Sequence, residues 1–475
     1  MSTTKSNAWK GILLLGCAAL AVRVALVLLL AGRAEGPRTY EHGEIAENLL
    51  AGRGFTVTFL GQEGPTSQQA PLYPTMLAGL YRTFGVGENA VLAMQLLQCL
   101  AGAALAVAVV WLCWSLLPQR RAVGWIAGWG AALYPTHVYM VTHVQVAVWA
   151  ALSLTLLCCV VVSRRLTGRG GAALAGLLGG ITMLVEPILA LALPILALTM
   201  WRRVAGDGQS PPSIAIRLLL FAGVTALVVS PWIWRNYRVH GEFVFVKSTF
   251  GYAFWQGNNT HSWGTDKVPK ASAAALLRHH DGTLAGRERA MWEARHETLY
   301  IDDVLLKPGG YRQFAGLTEP ERSRLLGSEA QRFIIENPGQ YARLCLARLR
   351  YFFTFDPTNP KAANLAYRAA TVVWLGLFGV GFWLGRREWR ALWPLAAIVA
   401  AVAVFHALTI VSARFRIPVE PLSFVWAAIA VTATFDRCRA IFVLPSARRE
   451  IIAMRSAGNP RAPVEETLVD IHPRG

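Results

Sequence analysis

The run from Gly11 to Ala31 reads GILLLGCAALAVRVALVLLLA, and shortly after it the stretch from Tyr40 to Phe55 reads YEHGEIAENLLAGRGF. A continuous apolar run of about 20 residues is long enough to cross the hydrocarbon core of a bilayer. This one follows Lys5 and Lys10 and contains a single charge, Arg23. A secretory signal has a shorter apolar core, so the run reads as a retained first span. The second stretch then lies just outside the membrane. Taken as a helix at about 100° per residue, it places Glu41, Glu44, Ile45 and Asn48 on one face. Gly52 and Gly54 break it. Two carboxylates and a carboxamide are thus presented together at the membrane surface, although a plain polar helix between two spans is the commoner meaning of such a pattern.

Composition extends the membrane reading to the whole chain. The 475 residues are 54% hydrophobic and 16% charged, whereas soluble domains carry about 25% charged residues. The net charge of +18 does not indicate a nucleic-acid partner, because the cations sit in short clusters between apolar runs. These clusters are Arg120 and Arg121; Arg164, Arg165 and Arg169; Arg202 and Arg203; Arg386, Arg387 and Arg390; and Arg437 and Arg439. Placing them all in the cytoplasm fixes the orientation by the positive-inside rule. The chain then reads as an all-α polytopic membrane protein with about ten crossings, juxtamembrane helices and a mostly helical outer segment. Residues 1–234 form an N-terminal transmembrane module whose first outer loop is 33–87. Residues 235–365 are extracytoplasmic, 366–435 hold the last spans, and 436–475 form a basic cytoplasmic tail. Within the first module, 172–200 starts and ends at cytoplasmic arginines, so it must cross twice, turning at Glu186-Pro187. In the outer segment Thr318-x-x-Glu321 is a capping box, and Asn337-Pro338 separates two helices.

The cysteines do not indicate a metal site. Five of the seven, Cys17, Cys99, Cys113, Cys158 and Cys159, fall in apolar spans, and no CxxC spacing occurs. His137 and His143 lack a converging carboxylate at ligand spacing and read as core or interfacial residues, so no metal ligand is assigned. Asn258-Asn259-Thr260 is formally a glycosylation sequon but lies beside Gly257 and reads as a turn.

Charges that break the topology rules are more informative. Arg235, Arg414 and Arg416 fall at the outer leaflet on segments far apart in sequence. Any one arginine can snorkel to a headgroup. Three together point to a shared anion, and a lipid phosphate suits the guanidinium fork. Arg23 and Glu186, inside apolar runs, should face the bundle interior and could pair with each other. A carboxylate pair beside phosphate-binding arginines suits transfer of a group from a lipid phosphate to an acceptor hydroxyl. Glu41 or Glu44 would be the base, and a direct displacement would invert the transferred centre. There is no P-loop and no GxGxxG motif, in keeping with a lipid-activated donor.

Several motifs in order resemble a family. They are Glu44-Ile45-Ala46-Glu47-Asn48-Leu49-Leu50-Ala51-Gly52-Arg53-Gly54-Phe55, Pro71-Leu72-Tyr73-Pro74 and Leu133-Tyr134-Pro135. They continue with Pro231-Trp232-Ile233-Trp234-Arg235-Asn236-Tyr237, Gly257-Asn258-Asn259 and Arg414-Phe415-Arg416-Ile417-Pro418. The chain resembles the GT-C superfamily of lipid-donor glycosyltransferases, which includes dolichyl-phosphate-mannose-protein mannosyltransferase-like and aminoarabinose transferase-like enzymes. The charge pattern places both termini in the cytoplasm, and the resemblance implies an enzyme of the bacterial inner membrane with a periplasmic active site. Its donor would be a polyprenyl-phosphate sugar and its acceptor a lipid, glycan or protein, with membrane lipids as surroundings. It assigns Glu41 and Glu44 to catalysis and Arg235, Arg414 and Arg416 to the donor phosphate. Asn48, Tyr73, Asn236 and Asn258 would bind substrate, and a divalent metal is compatible with the family. Three positions depart from the pattern. Arg38 stands near the usual aspartate, with Glu41 the nearest acidic substitute; Gln145 stands where a second acid is common; Glu186 stands where a cation often precedes the proline. A transporter or flippase for a lipid-linked sugar would use the same arginines without a base. A catalytically inactive relative is the third reading.

Overall fold

The computed structural model describes residues 2–30 and 39–456; Arg38 and the tail from Pro460 onward lie outside the described residues. The protein is a multi-pass α-helical membrane protein. Among the described residues five segments are long and apolar enough to cross a bilayer: Ala8–Leu30, Glu88–Leu116, Pro187–Gly206, Pro211–His240 and Leu365–Leu408. Ala147–Val162 and Arg169–Val185 are shorter apolar helices that pack among them.

The first helix, Ser2–Leu30, packs on Glu88–Leu116 and Arg121–Leu133. Arg23 does not meet Glu186. It is fully buried and donates to the carbonyls of Ala19 (3.0 Å), Ala131 (3.0 Å) and Ala132 (2.8 Å). The reason lies in Pro135, which opens the next short helix, Pro135–Met140. Proline has no N–H to offer the carbonyl four residues earlier, so Ala131 would be left unsatisfied inside the bundle. The guanidinium supplies the missing donors. Gly102 makes room for it, since a Cβ there would lie 2.4 Å from Arg23 Nε.

The stretch expected to cross twice folds as a hairpin of Arg169–Val185, a 3-10 turn Pro187–Leu191 and Ala192–Gly206. Glu186 between them is extended (φ −148°, ψ 101°), as proline demands of the residue before it. The first arm has 17 residues, about 26 Å of helix, because it begins at Arg169 rather than at 172. Gly176 and Gly180 let this arm pack tightly against Pro211–His240, where added Cβ atoms would lie 2.7 Å from Phe221 O and 2.5 Å from Val228.

Outside the spans, helix Tyr40–Leu50 is followed by a hairpin, Thr56–Phe59 paired with Gln62–Pro65. Its two-residue turn uses Leu60 (φ 50°) and Gly61 (φ 77°), the positive-φ pair that hairpin twist favours. The sequence reading missed this hairpin, because four residues are too few for alternation to declare itself. A second small antiparallel pair joins Lys267–Val268 to Leu299–Tyr300, so the described part of segment 235–365 is helical with one β excursion. The capping box at Thr318 is present and opens Glu319–Glu336; Pro338–Phe353 follows. Ile45, Phe55, Val57 and Phe59 from the first outer loop share a buried cluster with Trp255, Ile301, Phe314 and Leu326. Residues of the 33–87 loop and of the 235–365 segment therefore pack into one body.

Candidate active site

The helix Tyr40–Leu50 is held from most sides: His42, Gly43, Ile45, Ala46 and Asn48 are buried. Tyr40 enters it at φ 52°, a left-handed conformation uncommon for a bulky residue. Two of its polar residues fasten the neighbouring hairpin. Glu44 Oε1 accepts the Thr58 N–H at 2.6 Å, and Asn48 donates to Thr56 O at 2.9 Å while accepting from Arg53 Nε at 3.0 Å. Glu41 differs. It is partly exposed and makes no hydrogen bond or ion pair among the described residues. It acts on the partly buried Tyr252, whose hydroxyl donates to Asp302. Burial holds the Asp302 carboxyl above the ordinary carboxylate range.

Beneath Glu41, the His42 ring packs edge-on against Tyr73 at 4.8 Å. Tyr73 is itself buried and donates to Gln98 Oε1 at 2.7 Å. Gln98 in turn donates to the carbonyls of Val141 (2.7 Å) and His143 (2.8 Å). Lys361 donates to His143 Nε2 at 2.9 Å, so that imidazole accepts and is neutral. His42 is pushed down to about 3 by burial, then by the charges of Lys247 and Arg414. Its folded value lies below the ordinary one of about 6.5, so the unfolded chain takes up the proton first. Stability is therefore full above pH 6.5 and falls as the pH drops from there toward 3. Apparent unfolding midpoints in detergent at pH 7 and pH 5 should differ by the equivalent of about 2 kcal/mol from this residue. His42→Gln should lack that part of the acid slope; an unchanged slope would remove His42 as its source.

The three arginines Arg235, Arg414 and Arg416 separate into two kinds. Arg235 is latched: Nη1 donates to Thr66 O at 2.6 Å and Nη2 to Phe55 O at 3.1 Å, with the guanidinium over the Trp232 ring at 4.8 Å. Its neighbour Asn236 is buried, accepts from Ser67 Oγ at 2.8 Å and donates to Val244 and Val246 carbonyls. Arg416 is also buried, 2.8 Å from Glu420, and donates to the carbonyls of Phe352 (3.1 Å) and Phe353 (2.8 Å). His137 meets the other Glu420 oxygen at 3.0 Å. Arg414 is exposed and makes no hydrogen bond or ion pair among the described residues. Its charge acts on His42, on His143 and on Asp266. Burial raises the Asp266 carboxyl, but Lys267 at 2.6 Å and then Arg414 outweigh it and hold the group below the carboxylate range.

The loop that presents Arg414 is pinned from behind. Asn258 donates to Thr409 O at 3.0 Å and accepts from the buried Arg348 at 3.0 Å; Arg348 also donates to Thr409 O. Gly257 lies so close that an added Cβ would sit 2.1 Å from Thr409 O. Gly257→Ala should therefore displace this loop and lower stability by about 1–3 kcal/mol in chemical or thermal unfolding, as overpacking does. Wild-type stability in that variant would show that the approach is not needed.

Of the nine residues that the sequence singled out, the structure leaves Glu41 and Arg414 without a side-chain hydrogen bond or ion pair among the described residues, the Arg414 guanidinium lying 5.5 Å from the Phe415 ring. Glu44, Asn48, Tyr73, Arg235, Asn236, Asn258 and Arg416 are engaged in hydrogen bonds or ion pairs that hold neighbouring segments together. His42, Lys247 and Asp266 were not singled out. Their neighbours come from distant segments, so no local spacing marks them. Among the described residues no group of three or more His, Cys, Asp or Glu side chains is placed to hold a metal ion.

The same overall fold is found in solved structures of low sequence identity. No family model and no curated protein matches the sequence. Solved structures do match. AglB, the oligosaccharyltransferase of Archaeoglobus fulgidus, was solved with an inhibitory peptide and a dolichol-phosphate; it is similar over 94% of this chain, at 14% identity and TM-score 0.53. ArnT from Cupriavidus metallidurans, in the apo state, is similar over 94% of this chain, at 14% identity and TM-score 0.50. The chain spans 52% of the length of AglB and 65% of that of ArnT.

Proposed function

We propose that this protein is a glycosyltransferase that takes a sugar from a polyprenyl-phosphate carrier at the outer, periplasmic face of a bacterial inner membrane. It passes the sugar, with inversion, to a hydroxyl of a lipid, glycan or protein. The observation that carries the reading is that Glu41, and the exposed guanidinium of Arg414 whose charge acts on the adjacent His42, make no side-chain hydrogen bond or ion pair among the described residues of a chain with this fold. Glu41 takes the acceptor proton as the hydroxyl attacks. Arg414 binds the donor phosphate and stabilises the charge that grows on it as the sugar leaves. Glu44 keeps the base helix registered on its hairpin, and Arg235 and Arg416 shape the site from behind. The cocrystallised dolichol-phosphate of AglB supports a lipid phosphate as the donor's carrier.

The test uses the full chain in lipid vesicles with polyprenyl-phosphate donors bearing a hexose, a pentose or an amino sugar. Sugar transfer to an envelope glycolipid or glycoprotein acceptor is expected with one of them. Arg414→Ala should weaken binding of polyprenyl phosphate by about tenfold or more, the loss expected for a charge-assisted contact. Absence of donor binding by the unaltered protein would overturn the reading. Mass comparison of envelope glycolipids and glycoproteins with and without the gene names the sugar.

A further inference from the structure

Helix Pro338–Phe353 carries three arginines, and it uses them differently. Arg348 is buried and engaged with Thr409 and Asn258. Arg343 and Arg350 are exposed, and their side chains make no hydrogen bond or ion pair among the described residues. At about 100° per residue these two lie within about 20° of each other on the helix. Beside them Ala342, Leu346 and Leu349 share an arc of about 60°. All three are exposed, Leu346 at 69% and Leu349 at 38%. Leu344, Arg348 and Phe352 form the buried side. A single exposed leucine needs no explanation. An apolar arc bordered by two unengaged cations is the pattern of a helix that lies at a lipid surface.

Three contacts fix the direction of this helix. The Tyr341 hydroxyl donates to Leu408 O at 3.1 Å, Arg348 donates to Thr409 O, and the Phe352 ring stacks on His406 at 6.0 Å. From Tyr341 to Phe352 the helix advances about 17 Å. Their partners, His406 to Thr409, occupy only about one turn at the end of helix Trp389–Leu408. Pro338–Phe353 therefore runs across the end of Trp389–Leu408 and not along it. Trp389–Leu408 belongs to the apolar segment Leu365–Leu408. Its opposite end starts at the cluster Arg386, Arg387 and Arg390, which the charge pattern places in the cytoplasm, so the crossing lies at the outer end. A helix laid across the outer end of a span lies in the plane of the bilayer interface.

We propose that the exposed side of Pro338–Phe353 is a docking surface for anionic phospholipids of the outer leaflet. Leu346 and Leu349 enter the boundary between headgroups and acyl chains, and Arg343 and Arg350 hold headgroup phosphates with their guanidinium forks. The occupant is the bilayer and not a second copy of the chain. The arc is continuous with the span that the helix crosses, and a second copy would bring another Arg343 and Arg350 against the first pair. Docking also bears on the Arg414 loop. The same helix pins Thr409 through Arg348 and receives Arg416 on its last carbonyls. Its seat on the bilayer thus sets the height of that loop above the membrane.

The experiment uses the full chain in nanodiscs of equal parts phosphatidylcholine and phosphatidylglycerol at low salt. A benzophenone-bearing phenylalanine analogue replaces the exposed Leu346, and the photo-adducts are identified by mass. Lipid adducts should form, with phosphatidylglycerol in excess over phosphatidylcholine by about fivefold or more, the enrichment expected for one arginine at an anionic surface. Added salt should reduce that excess. Arg343→Gln with Arg350→Gln should bring the ratio to about one while lipid adducts persist, because the leucines still reach the acyl boundary. The unfolding midpoint of this double variant should match that of the unaltered protein, since neither arginine has a partner to lose among the described residues. Absence of lipid adducts, or adducts to a second copy of the chain, would overturn the docking surface. So would equal labelling of the two lipids in the unaltered protein, or an excess that the double variant leaves in place.

Discussion

Glu41→Gln should lower the rate of sugar transfer by about 10²–10⁴-fold, the range by which a positioned general base contributes. The substitution keeps the shape of the side chain and removes its ability to take a proton. Because Glu41 has no partner among the described residues, the change should leave the unfolding midpoint and the affinity for polyprenyl phosphate where they were. The loss should therefore fall on the catalysed rate and not on donor binding. Full activity in Glu41→Gln would remove this residue from the chemistry and turn attention to Glu44. Glu44→Gln carries a different expectation. Its carboxylate accepts the Thr58 N–H, so the substitution weakens a charge-assisted bond between helix and hairpin and should lower stability as well as rate.

The second large effect is on stability. Arg416→Ala should cost about 3–5 kcal/mol, because it strands a buried carboxylate without its cation. Glu420 is 1% exposed and lies against both Arg416 and His137. The same guanidinium also satisfies two carbonyls at the end of helix Pro338–Phe353. Arg416→Lys should rescue only part of the loss, since an ammonium cannot span the carboxylate and both carbonyls as the planar fork does. Arg414→Ala, two residues earlier, should leave the midpoint unchanged. Thermal unfolding of the three variants in one detergent checks the contrast. Equal midpoints for Arg414→Ala and Arg416→Ala would show that the division of roles between them is wrong.

These two arginines illustrate how far local sequence reaches. Both stand in Ser412-Ala413-Arg414-Phe415-Arg416-Ile417-Pro418, both break the positive-inside trend, and nothing in that string separates an exposed guanidinium from a buried one. The difference is made by Glu420, one helical turn beyond Arg416, and by the carbonyls of Phe352 and Phe353, some sixty residues away. Arg235 was equally ambiguous until Thr66 and Phe55 were seen to occupy its donors. The Arg23–Glu186 pair allowed by the sequence gave way to two separate arrangements. Each depends on a proline: Pro135 exposes carbonyls for Arg23, and Pro187 turns Glu186 out of its helix toward Lys247.

Short windows of sequence were enough for the membrane class, the break at Glu186-Pro187, the capping box at Thr318 and the helix that carries Glu41. Each rests on a local feature: an apolar run of bilayer length, a residue forced extended before proline, a side chain that caps its own helix, or a 3.6-residue period. Which charges remain unengaged was settled only by the packing of distant segments. Whether a carboxylate or guanidinium is free depends on donors and acceptors brought in by other helices, and desolvation makes each of those partners matter. That is why Glu41 and Glu44, alike on one helix face in the sequence, differ in the fold: one meets the Thr58 N–H, and the other has no partner among the described residues.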